Sequence, residues 1–338
     1  MDLKNKTPFV VERVVLQDAA GRDVLVVVVK ATYSFSLDGV VSIAEQQAPI
    51  VFADEHYGEP GASSVRYESD LALRKAGADV VLIGNAYAPA GEFVAELNVS
   101  LSVGPVQRSV RVFGDRVWRK TLGFASISPP APFDKMPLVY ERAFGGRDCS
   151  AENPEHHEQE ARNPVGMGLI AAKSGQPLDG VPLPNIEDVQ QLIGSPTDRP
   201  APAGFGYIGR HWQPRVNLAG TYDDAWKSDR APMLPDDFDD RYFNGAHAQL
   251  ISPNYFVGGE PVELINCSAD GPVRFVLPML RPRISALGWL GVATPMAACC
   301  DTVIIEPDER RISLVWRATR DVYKKMHDIA RIVVEAKL

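Results

Sequence analysis

The chain has 338 residues, 45% hydrophobic and 23% charged, with a formal charge of −8 and a pI near 5.4. That length suffices for one large core or two ordinary ones, and the apolar content excludes a disordered chain. The acidic balance argues against a phosphate-backbone binder, which gathers Lys and Arg to displace counterions, and no dense Lys/Arg run occurs.

The first eight residues lead into Phe9-Val10-Val11-Glu12-Arg13, which breaks any apolar stretch before it could serve as a signal segment. A cytoplasmic protein is expected. The longest aliphatic run, residues 24–29, is far short of the roughly 20 residues a membrane helix needs and suits a buried strand. Strands are expected over residues 9–17 and 24–37, joined by a turn at Asp18-Ala19-Ala20-Gly21. In the second of these, the run up to Val29 is apolar on both faces. Beyond it Lys30, Thr32, Ser34 and Ser36 alternate with Ala31, Tyr33, Phe35 and Leu37, the pattern of a strand with one solvated face. Asp38-Gly39 marks a hairpin.

Another strand is expected over residues 79–87. Phe93, Ala95, Leu97, Val99, Leu101 and Val103 then place six apolar side chains on one face, with Glu96, Asn98, Ser100 and Ser102 on the other. Gly104-Pro105 turns this strand into residues 106–112. Residues 1–125 therefore read as an antiparallel β-sandwich or barrel-like domain. Residues 126–260 hold more than half of the 27 prolines but also Phe205, Tyr207, Trp212, Tyr222, Trp226, Phe238, Tyr242 and Phe243. Side chains of that size bury substantial area, so this stretch is expected to be an ordered, irregular layer packed on the β core.

Residues 261–338 return to strands, at 262–267, 273–277, 302–306 and 312–317, with a turn at Asp308-Glu309-Arg310. One C-terminal helix is expected, N-capped by Asp321, with Val322, Met326, Ile329, Ala330 and Val333 on a single stripe. The middle and last stretches either form two domains or join as one. The overall class is mainly β.

No residue set points to catalysis, a cofactor or a metal. Cys149, Cys267, Cys299 and Cys300 show neither CxxC spacing nor a disulfide framework, and the adjacent pair diverges on a strand. The glycines of Gly166-Met167-Gly168 and Gly204-Phe205-Gly206-Tyr207-Ile208-Gly209 lack the strand before and helix after that a dinucleotide fingerprint requires. Asp236-Asp237-Phe238-Asp239-Asp240 has Arg241 where a calcium loop needs its next oxygen, so caps and salt bridges explain it better. His156, His157 and Glu158 lack a second histidine at zincin spacing, and His56, His211, His247 and His327 are scattered. The pairs Glu141 with Asp148 and Asp223 with Asp224 would serve a glycosidase only at a defined carboxyl separation. Neither a GxSxG elbow nor a GxxxxGK[ST] loop occurs.

A run of motifs carries a family resemblance. Asn5-Lys6-Thr7-Pro8-Phe9, Lys30-Ala31-Thr32, Ser63-Ser64-Val65-Arg66 and Gly114-Asp115-Arg116-Val117-Trp118 lie in the first part. Met136-Pro137-Leu138, Tyr140-Glu141-Arg142-Ala143-Phe144-Gly145-Gly146, Asn163-Pro164-Val165-Gly166-Met167-Gly168 and Leu183-Pro184-Asn185-Ile186-Glu187 follow. Pro202-Ala203-Gly204-Phe205-Gly206, Trp212-Gln213-Pro214-Arg215, Gly220-Thr221-Tyr222-Asp223, Trp226 and the segment from Leu234 to Asn244 complete it, and the likeness weakens after about Gly259. In this order they resemble the domain of unknown function 2169 family, bacterial proteins associated with type VI secretion. The resemblance implies a cytoplasmic adaptor or chaperone that binds a type VI secretion effector and helps load it onto the VgrG or PAAR spike. It implies no chemistry, and the acidic balance and short apolar runs give no expectation of a nucleic-acid or membrane partner. Trp212, Arg215, Tyr222, Trp226, Asp237, Asp239, Arg241, Tyr242 and Phe243 are the candidate partner-binding residues. The alternatives are a hydrolase acting on glycan or peptidoglycan, or an exported spike or effector component.

Overall fold

The strand Asp23–Phe35 organises the protein. In the computed structural model, which describes residues 1–336, it lies antiparallel between Arg311–Asp321 and Val10–Gln17. The seven-stranded sheet continues outward through Ala298–Glu306, Ala78–Leu82 and Ile251–Ser252, and Val41–Ile43 pairs with the end of the central strand. A five-stranded sheet runs Ile186–Asp188, Val106–Phe113, Glu96–Val103, Pro261–Ile265, Val273–Val276. A four-stranded sheet runs Asp2–Asn5, Ile329–Ala336, Pro282–Gly288, Ala293–Met296.

One apolar core joins all three sheets. It includes Leu25, Val27 and Val29 from the large sheet, Val99, Leu101, Val110 and Leu264 from the five-stranded sheet, and Ile284 and Ile332 from the four-stranded sheet. The opposite side of the large sheet is buried as well. Val26, Val28 and Val315 pack there with Ile50, Leu71 and Leu73 from the segment that crosses that face. The run of valines is thus apolar on both faces because both faces are covered, as its composition implies.

The same cover overturns the reading of Lys30 and Thr32 as a solvated face, since they are only 3% and 0% exposed. Lys30 Nζ donates to Asp70 Oδ2 at 2.9 Å, and the Thr32 and Ser313 hydroxyls are bonded at 3.2 Å. A polar period of two signals water only when nothing supplies partners from above. Here the 44–75 segment does, and only Ser34 remains exposed.

Three further expectations shift. The strand expected over 79–87 is split into Ala78–Leu82 and Asn85–Tyr87, the second pairing with Lys135–Pro137. The six-residue apolar face begins in earnest at Leu97, within Glu96–Val103, and Phe93 and Ala95 are exposed. The C-terminal helix is reduced to one 3-10 turn, Met326–Asp328, followed by the strand Ile329–Ala336. Its β-branched residues favour an extended backbone, and pairing with Asp2–Asn5 and Pro282–Gly288 buries Ile332 and Val334 on alternate positions. The only α-helix among the described residues, Asp224–Asp229, belongs to the middle stretch.

The three stretches divided at 125 and 260 do not fold apart, because the seven-stranded sheet draws on each of them. Non-local pairing of this kind leaves no trace in local composition. The middle stretch is a layer on this framework, with Tyr140, Phe205, Tyr207 and Trp212 in the main core.

A bulge between Cys300 and Thr302 shifts the register against Arg311–Asp321 and re-aims Asp301, whose carboxylate accepts from Arg317 Nε at 2.7 Å, both groups being buried. Arg317 also donates to the backbone carbonyls of Asp70 at 2.6 Å and Ala72 at 3.1 Å, which ties the covering segment to the sheet. Asp301→Ala leaves a buried guanidinium without its carboxylate and is expected to cost about 3–5 kcal/mol in urea unfolding. A loss below about 1 kcal/mol would show that the pair is dispensable.

Candidate functional site

The irregular layer is seated on the sheet by a few buried polar groups and aromatic rings. Asp79, fully buried, accepts from Lys75 Nζ at 2.6 Å, Asn244 Nδ2 at 2.8 Å and the Gly245 amide at 2.9 Å. Burial works against the charge of Lys75, but Asp79, Asp301 and Glu68 hold its pKa above the usual lysine value. Arg215 bridges the layer from inside, donating from Nη1 to the Ile208 carbonyl at 2.7 Å and from Nε to the Tyr242 carbonyl at 2.8 Å, with Nη2 on Glu68. Trp212 meets Tyr140 edge to face, with ring centroids 5.6 Å apart.

The glycine motifs serve this packing. A Cβ at Gly204 would lie 2.9 Å from Tyr140 Cζ, and one at Gly209 would lie 2.9 Å from the Trp212 indole. The Asn163–Gly168 motif docks alongside, where Asn163 Nδ2 donates to the carbonyls of Tyr140 at 2.8 Å and Phe144 at 3.0 Å. Rings and backbone therefore occupy the space a nucleotide phosphate would need.

Between this layer and the sheet edge lies an apolar pocket of about 560 Å3. Its walls include Ile208, Pro214, Leu218 and Ala246 from the layer, and Ala76, Gly77, Ile251 and Pro253 beside the edge strand Ile251–Ser252. Arg215, Arg241, Asn244 and His247 supply its polar groups. This size falls in the range of specific ligand or side-chain sites. His247 caps the 3-10 turn Ala248–Leu250, its Nδ1 accepting from the Gln249 amide at 3.2 Å. Burial, and then the positive charge of Arg108, push its pKa down to about 4, so it is neutral at physiological pH. The two guanidiniums of the lining are each paired, Arg215 with Glu68 and Arg241 with Asp239.

The nine partner-binding candidates divide. Trp212 and Arg215 are buried in their own domain, and their side chains hold the layer together. The other seven belong to an acidic aromatic lobe beside the pocket. Tyr222 is 49% exposed and meets Trp226 at 4.7 Å, while Trp226 Nε1 donates to the Met233 carbonyl at 2.8 Å. Phe238 packs against Tyr242 at 5.6 Å and Phe243 at 5.4 Å. Asp237 accepts from the Thr221 amide at 2.9 Å and hydroxyl at 2.7 Å. Asp239 caps the turn Asp240–Phe243 and takes Arg241 Nε at 2.9 Å.

Asp236 and Asp240 are salt-bridged to Arg230 at 2.7 Å and Arg74 at 2.6 Å, so the aspartate run works through caps and ion pairs. The carboxylates weighed for hydrolysis are similarly engaged. Glu141 accepts from the Ser64 amide and hydroxyl, each at 2.7 Å. Burial would raise the pKa of Asp148, but the Ser150 and Ser174 hydroxyls and the Ala171 and Ser150 amides hold it well below the usual carboxylate range. Asp223 is the N-cap of Asp224–Asp229. His157 Nε2 sits 2.9 Å from the Ala151 carbonyl. Among the described residues no group of three His, Cys, Asp or Glu is placed to hold a metal ion.

Sequence reasoning found Arg215 and Arg241 but missed most of the pocket wall. Ala76, Gly77, Leu218, His247, Ile251 and Pro253 come from separate stretches, and small or apolar residues carry no signal of shared lining. The junction of the Trp212–Arg215 motif with the segment ending at Asn244 was the one available clue.

Three sheets on one core, with an ordered aromatic loop layer enclosing a pocket at a sheet edge, define a mainly β protein of the layered-sheet class. The chain belongs to the bacterial family described as "Uncharacterized protein conserved in bacteria (DUF2169)", whose model matches residues 20–317. No curated protein and no solved structure matches it. Among the described residues no helix is long and apolar enough to cross a membrane.

Two outcomes are expected here. Gly204→Ala forces a methyl into the Tyr140 ring and should cost about 1–3 kcal/mol by denaturant melt. The His247 pKa is lower folded than the ordinary 6.5 of an unfolded chain, so the unfolded state binds the proton first and stability falls as pH drops from 6.5 towards 4. His247→Gln should flatten the stability profile in that window, by up to roughly 3 kcal/mol, and an unchanged slope would remove His247 as its cause.

Proposed function

We propose that the protein is a cytoplasmic adaptor that binds a type VI secretion effector and assists its loading onto a VgrG or PAAR spike. The observation that carries this reading is the make-up of the apolar pocket. Pro214, Arg215, Arg241 and Asn244, all among its lining residues, come from the motif segments on which the family likeness rests. An apolar cavity with a few tied polar groups, set beside an edge strand and a lobe of partly exposed aromatic rings, is suited to taking an apolar segment of another protein. The polar side chains around it are occupied by caps and salt bridges, which keeps the surface rigid and limits the entropy lost on docking.

The test is co-expression with type VI effector and spike proteins, taken first from among the proteins encoded by neighbouring genes, followed by co-purification. Ala248 lines the pocket and is exposed, so Ala248→Arg should leave the fold intact while filling the cavity with a charged arm. Capture of the effector is expected to fall by about tenfold or more, the scale of losing one interface anchor. If neither protein is retained by the wild type, and effector secretion is unchanged after deletion, the adaptor reading is wrong.

A further inference from the structure

The four-stranded sheet ends in a hairpin, between Pro282–Gly288 and Ala293–Met296, whose tip is Trp289-Leu290-Gly291-Val292. Leu290 is 94% exposed and Trp289 75% exposed, and every residue from Trp289 to Pro295 is exposed and uncharged. Large apolar side chains gathered at a protruding turn are not accounted for by the core or by the pocket. The turn satisfies itself, with the Gly291 amide donating to Gly288 O and the Gly288 amide to Val292 O, each at 3.0 Å. Trp289 Nε1 is already spent on the His327 carbonyl at 2.7 Å. Leaving water therefore costs this tip few hydrogen bonds.

The indole bond places the tip against the exposed segment Tyr323-Lys324-Lys325-Met326-His327-Asp328. Lys324 lies over the Tyr323 ring at 5.0 Å, Met326 adds exposed apolar surface, and Trp289 lines an open depression with Arg331 and Asp2, which are salt-bridged to each other at 2.9 Å. Arg283 lies at the far end of this strand, opposite Glu335, and Arg281 donates to the Val257 carbonyl, so the charges beside the tip are those of the 323–328 segment, while no acidic residue occurs from 271 to 300. In a chain of formal charge −8, Lys324 and Lys325 give this apolar point an adjacent pair of exposed positive charges, with Asp328 set beside His327 at 3.2 Å.

We infer that this hairpin tip is a membrane-surface contact, inserting Trp289 and Leu290 at an anionic lipid interface while Lys324 and Lys325 meet the headgroups. Trp at the interface, an aliphatic residue beyond it and basic residues beside it match the depth-ordered chemistry of a bilayer surface. The attraction acts within about 10 Å at 0.1 M salt, so nearby lysines outweigh the distant net charge. This inference does not depend on the adaptor reading.

The full chain is sedimented with vesicles of phosphatidylcholine alone, and of phosphatidylcholine and phosphatidylglycerol in about equal amounts. Binding is expected to the anionic vesicles, weakening as salt rises. Leu290→Glu and the pair Lys324→Glu with Lys325→Glu should each reduce it by about tenfold or more, with unchanged thermal melts because these side chains are exposed. No binding of the wild type to anionic vesicles, or equal binding by Leu290→Glu, overturns the inference. So does a result in which vesicles are ignored while Leu290→Glu loses capture of the effector or spike protein, which would assign the tip to a protein contact.

Discussion

A carboxylate with no access to water couples the two halves of this fold. Asp79 rises from a strand of the large sheet and accepts at once from Lys75, from Asn244 and from the Gly245 amide. The first partner belongs to the segment that covers the sheet, the others to the loop layer that forms the pocket. A buried carboxylate is tolerated only when its lone pairs are filled, so the three donors must arrive together. The sheet, its cover and the layer therefore have one mutual position in which Asp79 is satisfied. Arg317 with Asp301, and Arg215 with Glu68, repeat the device on either side.

This explains how a stretch with so little regular structure holds a defined cavity. Its backbone is positioned by groups anchored in the sheet, and by rings that need glycine beside them. Gly204 lies against Tyr140, and Gly209 against Trp212. The motif residues that resemble nucleotide-binding glycines are thus spacers between aromatic side chains and backbone. Around the pocket the polar groups are capped or paired, leaving shape and apolarity as its means of discrimination. The hairpin tip is different, since its apolar side chains are exposed and the adjacent Lys324 and Lys325 are exposed too.

Much of the framework was legible in local pattern. The valine run, the alternation from Leu97 to Val103 and the turns at Gly21, Gly39 and Gly104, all with positive φ, required only strand period and turn chemistry. The site was legible only in part. Motif order singled out two of the pocket's lining residues, Arg215 and Arg241, while Trp212 and Arg215 are buried internal supports. Aromatic and arginine side chains are the common currency of cores and of interfaces, so composition could not separate these roles. Small residues such as Ala76 and Gly77 gain meaning only from what stands opposite them.

By itself the sequence determined the β class, the family and the character of the middle stretch, because these depend on local period, residue volume and motif order. Tertiary structure alone decided that Lys30 and Thr32 are buried, that residues 329–336 extend as a strand, and that three stretches share one sheet. Each of those outcomes depends on a partner far along the chain: Asp70 for Lys30, the N-terminal strand for Ile332, and for the shared sheet the strands Ile251–Ser252 and Ala298–Glu306 on either side of Ala78–Leu82. Burial and strand pairing belong to both partners at once, and neither partner's local sequence records where the other will lie.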